Sequence, residues 1–216
     1  MRGTKKGFFI TLEGIEGSGK TTQIRALTAW LRKKRRAVVL TREPGGTPFA
    51  DRVRALLLNS RDKGLTPSME LFLYESARKD HLKEVIEPAL KKGRIVLCDR
   101  FTDATLAYPG HGRGLSLKMI EDMNQIATHG LKPHLTVLFD LPAEIGLGRA
   151  KGRISKIKKG NKEDRFEREA LSFHRRVREG YLTLARKEKR RFHILNANQS
   201  RHDVFRELCR TLEKYL

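Results

Sequence analysis

The sequence predicts an α/β fold in which about five parallel strands form a sheet that helices cover on both faces. Two observations lead to this prediction. Short apolar segments rich in β-branched and aromatic residues recur along the 216 residues, and longer segments with helical periodicity lie between them. Uninterrupted apolar runs are typical of strands that a parallel sheet buries on both faces. Since we find no internal repeat and no linker-like stretch, we expect a single domain over residues 1–216.

The elements alternate along the chain. The predicted strands are Phe8–Leu12, Ala37–Leu40, Ile95–Cys98, Thr136–Phe139 and Phe192–Leu195. The predicted helices are Thr21–Lys34, Pro48–Leu58, Pro67–Lys91, Ser116–Thr128, Ala143–Lys151, Phe166–Lys189 and Arg201–Tyr215. Pro48 suits a first helical turn, and Pro88 predicts a bend or a restart within its helix. Because ligands of such sheets bind beyond the carboxyl ends of the strands, functional residues are expected there.

The chain is strongly basic. Lysines and arginines outnumber acidic residues by 46 to 25, which gives a formal net charge of +21. This charge favours a polyanionic partner, either phosphorylated small molecules or nucleic acid, or it belongs to a solvated basic surface. No aromatic-interleaved RNA-binding signature or zinc-finger spacing accompanies it, so we do not expect a nucleic-acid partner. No apolar run approaches the roughly 20 residues that cross a bilayer, so we expect a cytoplasmic protein without a membrane partner.

One segment interrupts the alternation of strands and helices. Residues 152–164 carry five lysines and arginines, two glycines and almost no apolar periodicity. Such a composition between two helices is typical of a mobile loop at a binding site. We therefore predict a basic lid over about residues 149–165.

The run GIEGSGKT at residues 14–21 matches the phosphate-binding pattern G-x-x-x-x-G-K-[ST]. It follows a predicted strand and opens a predicted helix, which is the context that this motif requires. Backbone N–H groups of such a loop surround phosphates, its lysine reaches the β- and γ-phosphates, and its hydroxyl residue can bind Mg²⁺. The predicted ATP-binding residues here are Gly14, Ile15, Glu16, Gly17, Ser18, Gly19, Lys20, Thr21 and Thr22.

Asp99 and Arg100 directly follow the predicted strand Ile95–Cys98. A carboxylate at this strand end can hold Mg²⁺ through water, so Thr21 and Asp99 are the candidate metal-binding residues. The planar guanidinium of Arg100 suits a second phosphate. A simple surface ion pair at the strand end would also explain the two residues.

With these motifs in place, the chain resembles bacterial thymidylate kinases along nearly its whole length. The resemblance rests on EGIEGSGKTT (13–22), TREPGGTP (41–48), ESAR (75–78), LCDRFTDATLAYPGHGRG (97–114), GLGRAKGR (146–153), DRFERE (164–169) and FHRRVREGYLTLA (173–185). It implies a P-loop NTPase-like fold, phosphoryl transfer from MgATP to dTMP, and a homodimer packed through helices.

The resemblance also implies how dTMP is held. Arg78 and Arg100 correspond to the arginines that hold the acceptor phosphate. Tyr74, one helical turn before Arg78, corresponds to the aromatic residue that stacks on thymine, although its spacing fits core packing equally well. Tyr108 corresponds to the tyrosine that leaves no room for a 2′-hydroxyl. Glu16 corresponds to an acidic residue that contacts the acceptor sugar, and it needs a neutralising partner such as Mg²⁺, Arg100 or a sugar hydroxyl.

The thymine pocket departs from the family at two positions. Glu43 and Pro44 correspond to the loop that borders this pocket. The family usually reads AYQG where this chain reads AYPG at residues 107–110. Pro109 thus removes a polar side chain and a backbone donor. Ala104 stands where serine is frequent. Hydrogen bonds to the thymine edge are therefore expected from Thr105 or from water.

The lid resembles the bacterial arrangement as well. Some family members carry a catalytic arginine in the P-loop, where this chain has Gly17. The basic lid is then expected to supply the arginines that clamp the transferred phosphoryl group, with Arg149 and Arg153 as candidates. Asn196 and Ala197 follow the last predicted strand and correspond to the segment that cradles adenine. The predicted catalytic residues are Lys20, Arg100, Arg149 and Arg153.

Two other functions stay open at this point. A P-loop kinase for another deoxynucleoside monophosphate remains compatible with Pro109 and Ala104. The net charge of +21 leaves open a nucleic-acid-stimulated P-loop ATPase. Asp99 is followed by Arg100 rather than by a water-positioning glutamate, which speaks against such an ATPase. A GTPase is disfavoured because the only N-K-x-D string, at residues 161–164, does not follow a strand.

Overall fold

The computed structural model describes residues 7–58, 64–155 and 165–216. Within them, five parallel strands form one sheet in the order β2-β3-β1-β4-β5. The strands are β1 (Phe8–Glu13), β2 (Val38–Arg42), β3 (Ile95–Asp99), β4 (Leu135–Asp140) and β5 (Phe192–Asn196). The predicted parallel sheet is confirmed, and each strand runs on to a polar residue at its carboxyl end.

Helices cover both faces of the sheet. They are α1 (Lys20–Lys33), α2 (Pro48–Leu58), α3 (Pro67–His81), α4 (Glu87–Lys91), α5 (Thr102–Thr105), α6 (Leu117–Thr128), α7 (Ala143–Ser155), α8 (Leu171–Lys187) and α9 (Arg201–Glu213). Ile10 and Leu12 of β1 pack in the core that includes α1 and α9, whereas Phe9 packs in a second core on the other face. This alternation along β1 is the period of two that a strand imposes on its side chains.

The predicted helix Pro67–Lys91 consists of three parts. α3 leads through a π-helical turn, Leu82–Ile86, into α4. Pro88 follows just after this π-helical turn, and the backbone stays helical at Ile86 and Glu87. The predicted bend or restart thus takes the form of a π-helical turn within a continuous helix, a common way to accommodate proline.

Two predicted helix boundaries were wrong by more than two residues. α7 continues to Ser155, so the first part of the predicted lid is helical, and residues 156–164 lie outside the described residues. The predicted helix from Phe166 to Lys189 begins instead with a separate 3₁₀ turn, Phe166–Arg168. Extended backbone at Glu169 and Ala170 then separates this turn from α8.

The segment after β3 is helical although its sequence lacks helical periodicity. α5 leads into a π-helical stretch, Leu106–Gly112, that contains Pro109. A Cβ atom on Gly112 would lie 2.6 Å from the Phe173 ring of α8, so glycine permits the close packing of this stretch. Tertiary contact with α8 thus stabilises a helical segment that its local sequence does not favour. No helix in the described ranges is long and apolar enough to span a membrane.

Candidate active site

The loop between β1 and α1 is shaped to surround phosphate groups. Gly17 has a left-handed backbone with φ of 72°, and a Cβ atom there would lie 2.1 Å from the carbonyl oxygen of Gly146. Gly19 precedes α1, whose N-terminus therefore faces the loop. Helix N-termini present unpaired N–H groups and positive dipole charge to anions.

Lys20 lies inside this loop. Its Nζ donates to the carbonyl oxygens of Gly14 at 2.6 Å and Ile15 at 3.0 Å, and to Ser18 Oγ at 3.3 Å. Burial and the nearby charge of Arg100 lower the pKa of Lys20 to about 8, although Asp99 and other acidic neighbours oppose the shift. An anionic ligand in the loop would favour the charged form of this lysine.

Thr21 and Asp99 meet at one end of the loop. Thr21 Oγ1 donates to Asp99 Oδ2 at 3.5 Å. They approach each other because β3 pairs in parallel with β1. Asp99 at the end of β3 therefore lies beside the end of β1, from which the P-loop leads to Thr21. Hydroxyl and carboxylate oxygens are ligands that Mg²⁺ accepts, directly or through water, so the two residues fit a magnesium site.

Glu16 has the neutralising partner that its position requires. Its Oε1 accepts hydrogen bonds from Arg100 Nη2 at 2.8 Å and from the hydroxyl of Tyr108 at 2.5 Å. Burial raises the pKa of Glu16, but the charge of Arg100, the His174 ring nitrogen 3.4 Å from Oε2 and the charge of Lys20 outweigh it and lower this pKa to about 2. Glu16 is therefore ionised, and Arg100 lies over the Tyr108 ring with its guanidinium carbon 4.6 Å from the ring centre.

Arg78 lies in a buried hydrogen-bond network with an exposed fraction of only 1%. Its Nε donates to Glu43 at 2.8 Å, and its Nη1 donates to Glu75 at 2.5 Å and Asn124 at 2.7 Å. Its Nη2 donates to the carbonyl oxygen of Phe101 at 3.2 Å. Burial opposes the charge of Arg78, but the two carboxylates dominate and raise its pKa. The network fixes this guanidinium at the wall of a cleft.

A cleft of about 370 Å³ opens at the carboxyl ends of the strands. Most of the predicted site residues line it together. They are Glu16, Gly17, Ser18, Gly19, Lys20, Thr21, Thr22, Glu43, Pro44, Tyr74, Arg78, Asp99, Arg100, Thr105, Tyr108 and Arg153. Both departures from the family pattern, Ala104 and Pro109, also line this cleft.

The two predicted lid arginines lie in different places. Arg153 lines the cleft, whereas Nη1 of Arg149 donates to the carbonyl oxygen of Ala197 at 3.4 Å. Arg149, Asn196 and Ala197 are outside the cleft lining, and Ala197 follows β5. The structure thus separates one lid arginine in the cleft lining from another beside the predicted adenine segment.

Several lining residues were missed from the sequence. They are Arg42, Arg54, Leu58, Phe101 and Phe166. Arg42 ends β2 and Phe101 follows β3, so their positions at strand ends were a usable signal. Arg54 donates to the carbonyl oxygen of Pro44 at 3.1 Å, and Phe166 packs against Tyr108 with ring centres 5.2 Å apart. Neither contact has a signature in residue spacing.

Comparison with known proteins identifies the family. A sequence model described as thymidylate kinase matches residues 12–208. The chain belongs to the thymidylate kinase family. A thymidylate kinase of Geotalea daltonii is 58% identical over 190 residues, covering 88% of this chain and 89% of that protein. A thymidylate kinase of Syntrophotalea carbinolica is 50% identical over 209 residues, covering 97% and 96%.

A solved member of the thymidylate kinase family has the same fold. The crystal structure of thymidylate kinase from Ehrlichia chaffeensis superposes with a TM-score of 0.76 at 32% identity. The match covers 96% of this chain and 99% of that one. The predicted family and the P-loop NTPase-like fold are therefore confirmed, and the enzyme is a nucleotide kinase.

Proposed function

We propose that this enzyme transfers the γ-phosphoryl group of MgATP to dTMP, giving ADP and dTDP. One observation carries the proposal: the P-loop and Arg100 line the same cleft, joined by the 2.8 Å ion pair between Glu16 and Arg100. A P-loop binds the donor triphosphate, and an arginine beside it suits a second phosphate. In-line transfer between the two depends on positioning and on neutralising charge.

The donor side is formed by the P-loop and by Arg149. Lys20, which now donates to loop carbonyls, would turn to the β- and γ-phosphates when ATP enters. We assign adenine to the carboxyl end of β5, where Asn196 and Ala197 lie and Arg149 contacts the Ala197 carbonyl oxygen. Thr21 and Asp99 would hold Mg²⁺, which neutralises charge on the phosphates when bound.

The acceptor side is formed by the other end of the cleft. Arg100 would bind the acceptor phosphate, whose ionised oxygen attacks without a strong general base. Tyr74 would stack on the base ring, with Glu43, Pro44 and Thr105 around its edge. Tyr108, fixed by its bond to Glu16, would contact the deoxyribose. We assign Arg78 to the acceptor phosphate as well. Its ion pairs with two carboxylates also make it part of the wall of this pocket.

We further propose that residues 1–216 form one kinase domain in which about 149–165 serve as the lid. Arg153 is its catalytic arginine in this proposal, because it lines the same cleft as the P-loop. An arginine at a transferring phosphoryl group accelerates related reactions by about 10³–10⁵. Lid closure would exclude water and so limit hydrolysis of ATP.

A homodimer is part of the proposal. Phe72 on α3 and Ile126 on α6 are 58% and 67% exposed, with Met69 and Met119 exposed on the same two helices. Because α3 packs on α6, these side chains provide apolar surface for a second copy of the chain. Sedimentation of the wild type and of Phe72→Glu tests this, with loss of the dimer expected for the variant.

We place the enzyme in the cytoplasm, where ATP and dTMP are available.

The decisive experiment is an assay of ADP release with MgATP and a panel of dTMP, dUMP, dCMP, dGMP, UMP and thymidine. We expect strong preference for dTMP, which would mean that Pro109 and Ala104 are tolerated in the thymine pocket. Comparable rates with dUMP or dCMP would retain the kinase and refute the preference for thymine. Absence of acceptor-dependent release would refute the kinase, and binding to nucleic acid across salt concentrations would then be measured.

A further inference from the structure

α8 contacts both members of the Glu16–Arg100 ion pair. His174 and Tyr181 are seven residues apart on this helix, which places them on one face two turns from each other. His174 Nδ1 lies 3.4 Å from Glu16 Oε2, at the carboxylate end of the pair. The Tyr181 hydroxyl accepts a hydrogen bond from Arg100 Nη1 at 3.1 Å, at the guanidinium end.

Both side chains are buried in this position. His174 and Tyr181 are each 1% exposed, and Val177 between them is fully buried. The Tyr181 hydroxyl also donates to Glu13 Oε2 at 2.7 Å, so its proton is engaged and its lone pairs face Arg100. Glu13 in turn accepts from the backbone N–H of Phe101 at 2.7 Å. The hydroxyl thus links the end of β1 to the arginine that follows β3.

The backbone of Arg100 has a conformation that requires stabilising contacts. Its φ of 72° lies in the left-handed region, which is unfavourable for a residue with a side chain. Residues keep such conformations only where surrounding contacts determine them. With Nη2 on Glu16 and Nη1 on Tyr181, the guanidinium has one defined orientation before any ligand binds.

We propose that His174 and Tyr181 are positioning residues of the acceptor site, which hold the Glu16–Arg100 pair so that Arg100 is preorganised for the acceptor phosphate. Neither residue lines the cleft, so each acts through a residue that does. The inference rests on the proposed function, since it assumes that Arg100 binds the acceptor. Its structural part, the orientation of Arg100, does not depend on which nucleotide is the acceptor.

The test uses Tyr181→Phe, which removes the hydroxyl and keeps the ring, and His174→Leu with His174→Gln as the conservative variant. Kinetics with MgATP and dTMP are measured for each. We expect the KM for dTMP to rise about tenfold in Tyr181→Phe, as for a lost hydrogen bond to a charged group. It should also rise in His174→Leu, where Glu16 Oε2 loses its 3.4 Å contact with the ring nitrogen. The KM for ATP should stay within about twofold, and Gln at position 174 should restore part of the loss. Tyr215→Phe, which removes an exposed hydroxyl outside the cleft, is the matched control.

A crystal structure of each variant without nucleotide provides an independent measurement. We expect the Arg100 guanidinium to lose its single orientation in Tyr181→Phe. Equal increases of both KM values, or an ordered and unmoved Arg100, would overturn the inference even if dTMP is the substrate. Failure of the wild type to phosphorylate dTMP would refute the proposed function, and the structures of the variants would still decide the positioning role.

Discussion

Glu16 of the phosphate-binding loop and Arg100 after β3 form an ion pair of 2.8 Å on the floor of the cleft. The pair explains why a carboxylate occurs in a loop that binds anions. Glu16 stays ionised because Arg100 offsets its burial, and Arg100 in turn is oriented by Glu16. The phosphate-binding loop and the arginine that we assign to the acceptor are thereby connected before either nucleotide arrives.

Replacing Arg100 should weaken the use of dTMP much more than the binding of ATP. Arg100→Ala removes the guanidinium that we assign to the acceptor phosphate and leaves every residue of the P-loop unchanged. We expect kcat/KM for dTMP to fall by about 100-fold or more, as for a lost charge-assisted hydrogen bond to phosphate. Steady-state kinetics give kcat/KM and titration calorimetry gives the affinity for each nucleotide, with the exposed Arg94→Ala as control. Equal loss of affinity for ATP and dTMP would remove Arg100 from the acceptor site.

The two lid arginines should have different effects. Arg153 lines the cleft, so Arg153→Ala is expected to lower kcat by about 10³ with small changes in either KM. Arg149 contacts Ala197 instead, so Arg149→Ala should raise the KM for ATP more than it lowers kcat. Steady-state kinetics of both variants decide between the residues. The reverse pattern would assign the catalytic role to Arg149.

Loss of Arg78 should destabilise the fold as well as the site. Arg78→Ala leaves Glu43 and Glu75 buried without their cation. Breaking a buried ion pair from one side typically costs about 3–5 kcal/mol. Urea unfolding measures the change, and the exposed Arg94→Ala should alter the free energy of unfolding by less than about 0.5 kcal/mol. A similar small change in Arg78→Ala would show that the carboxylates find other partners or protons.

Glu13 should make stability depend on pH. Burial and the charge of Asp103 raise the pKa of Glu13 from its ordinary 4.5 to about 8. The folded chain therefore keeps a proton that the unfolded chain releases, so this contribution to stability is complete below about 4.5 and is lost as the pH rises through about 8. Glu13→Gln has no such proton to lose.

We expect the free energy of unfolding of wild type to fall relative to Glu13→Gln between about pH 5 and 8, with a slope of up to about 1.4 kcal/mol per pH unit. Urea unfolding across this range is the measurement. Glu84→Gln, at an exposed glutamate, serves as the control and should follow the wild type. Parallel curves for wild type and Glu13→Gln would show that Glu13 is ionised in the folded protein.

Local patterns were sufficient for most of the fold. The five strands were predicted because buried parallel strands are uninterrupted apolar runs, and the P-loop because its glycines and lysine have fixed spacing. The segment from Thr102 to Gly112 escaped prediction because its helical form depends on contact with α8 rather than on its own periodicity. The break at Ala170 likewise follows no local signal.

The candidate active site, like the fold, has features that the sequence predicts and others that it does not. The sequence by itself determined the sheet, the phosphate loop, the family and the residue types that the chemistry needs, because these depend on spacing along the chain. Only the tertiary structure decided that Arg100 pairs with Glu16, that Arg153 and not Arg149 lines the cleft, and that Tyr181 contacts Arg100. The residues in each of these contacts are far apart along the chain, and packing of the sheet and its helices brings them within a few ångströms of each other. The spacing of residues in a sequence does not predict such packing.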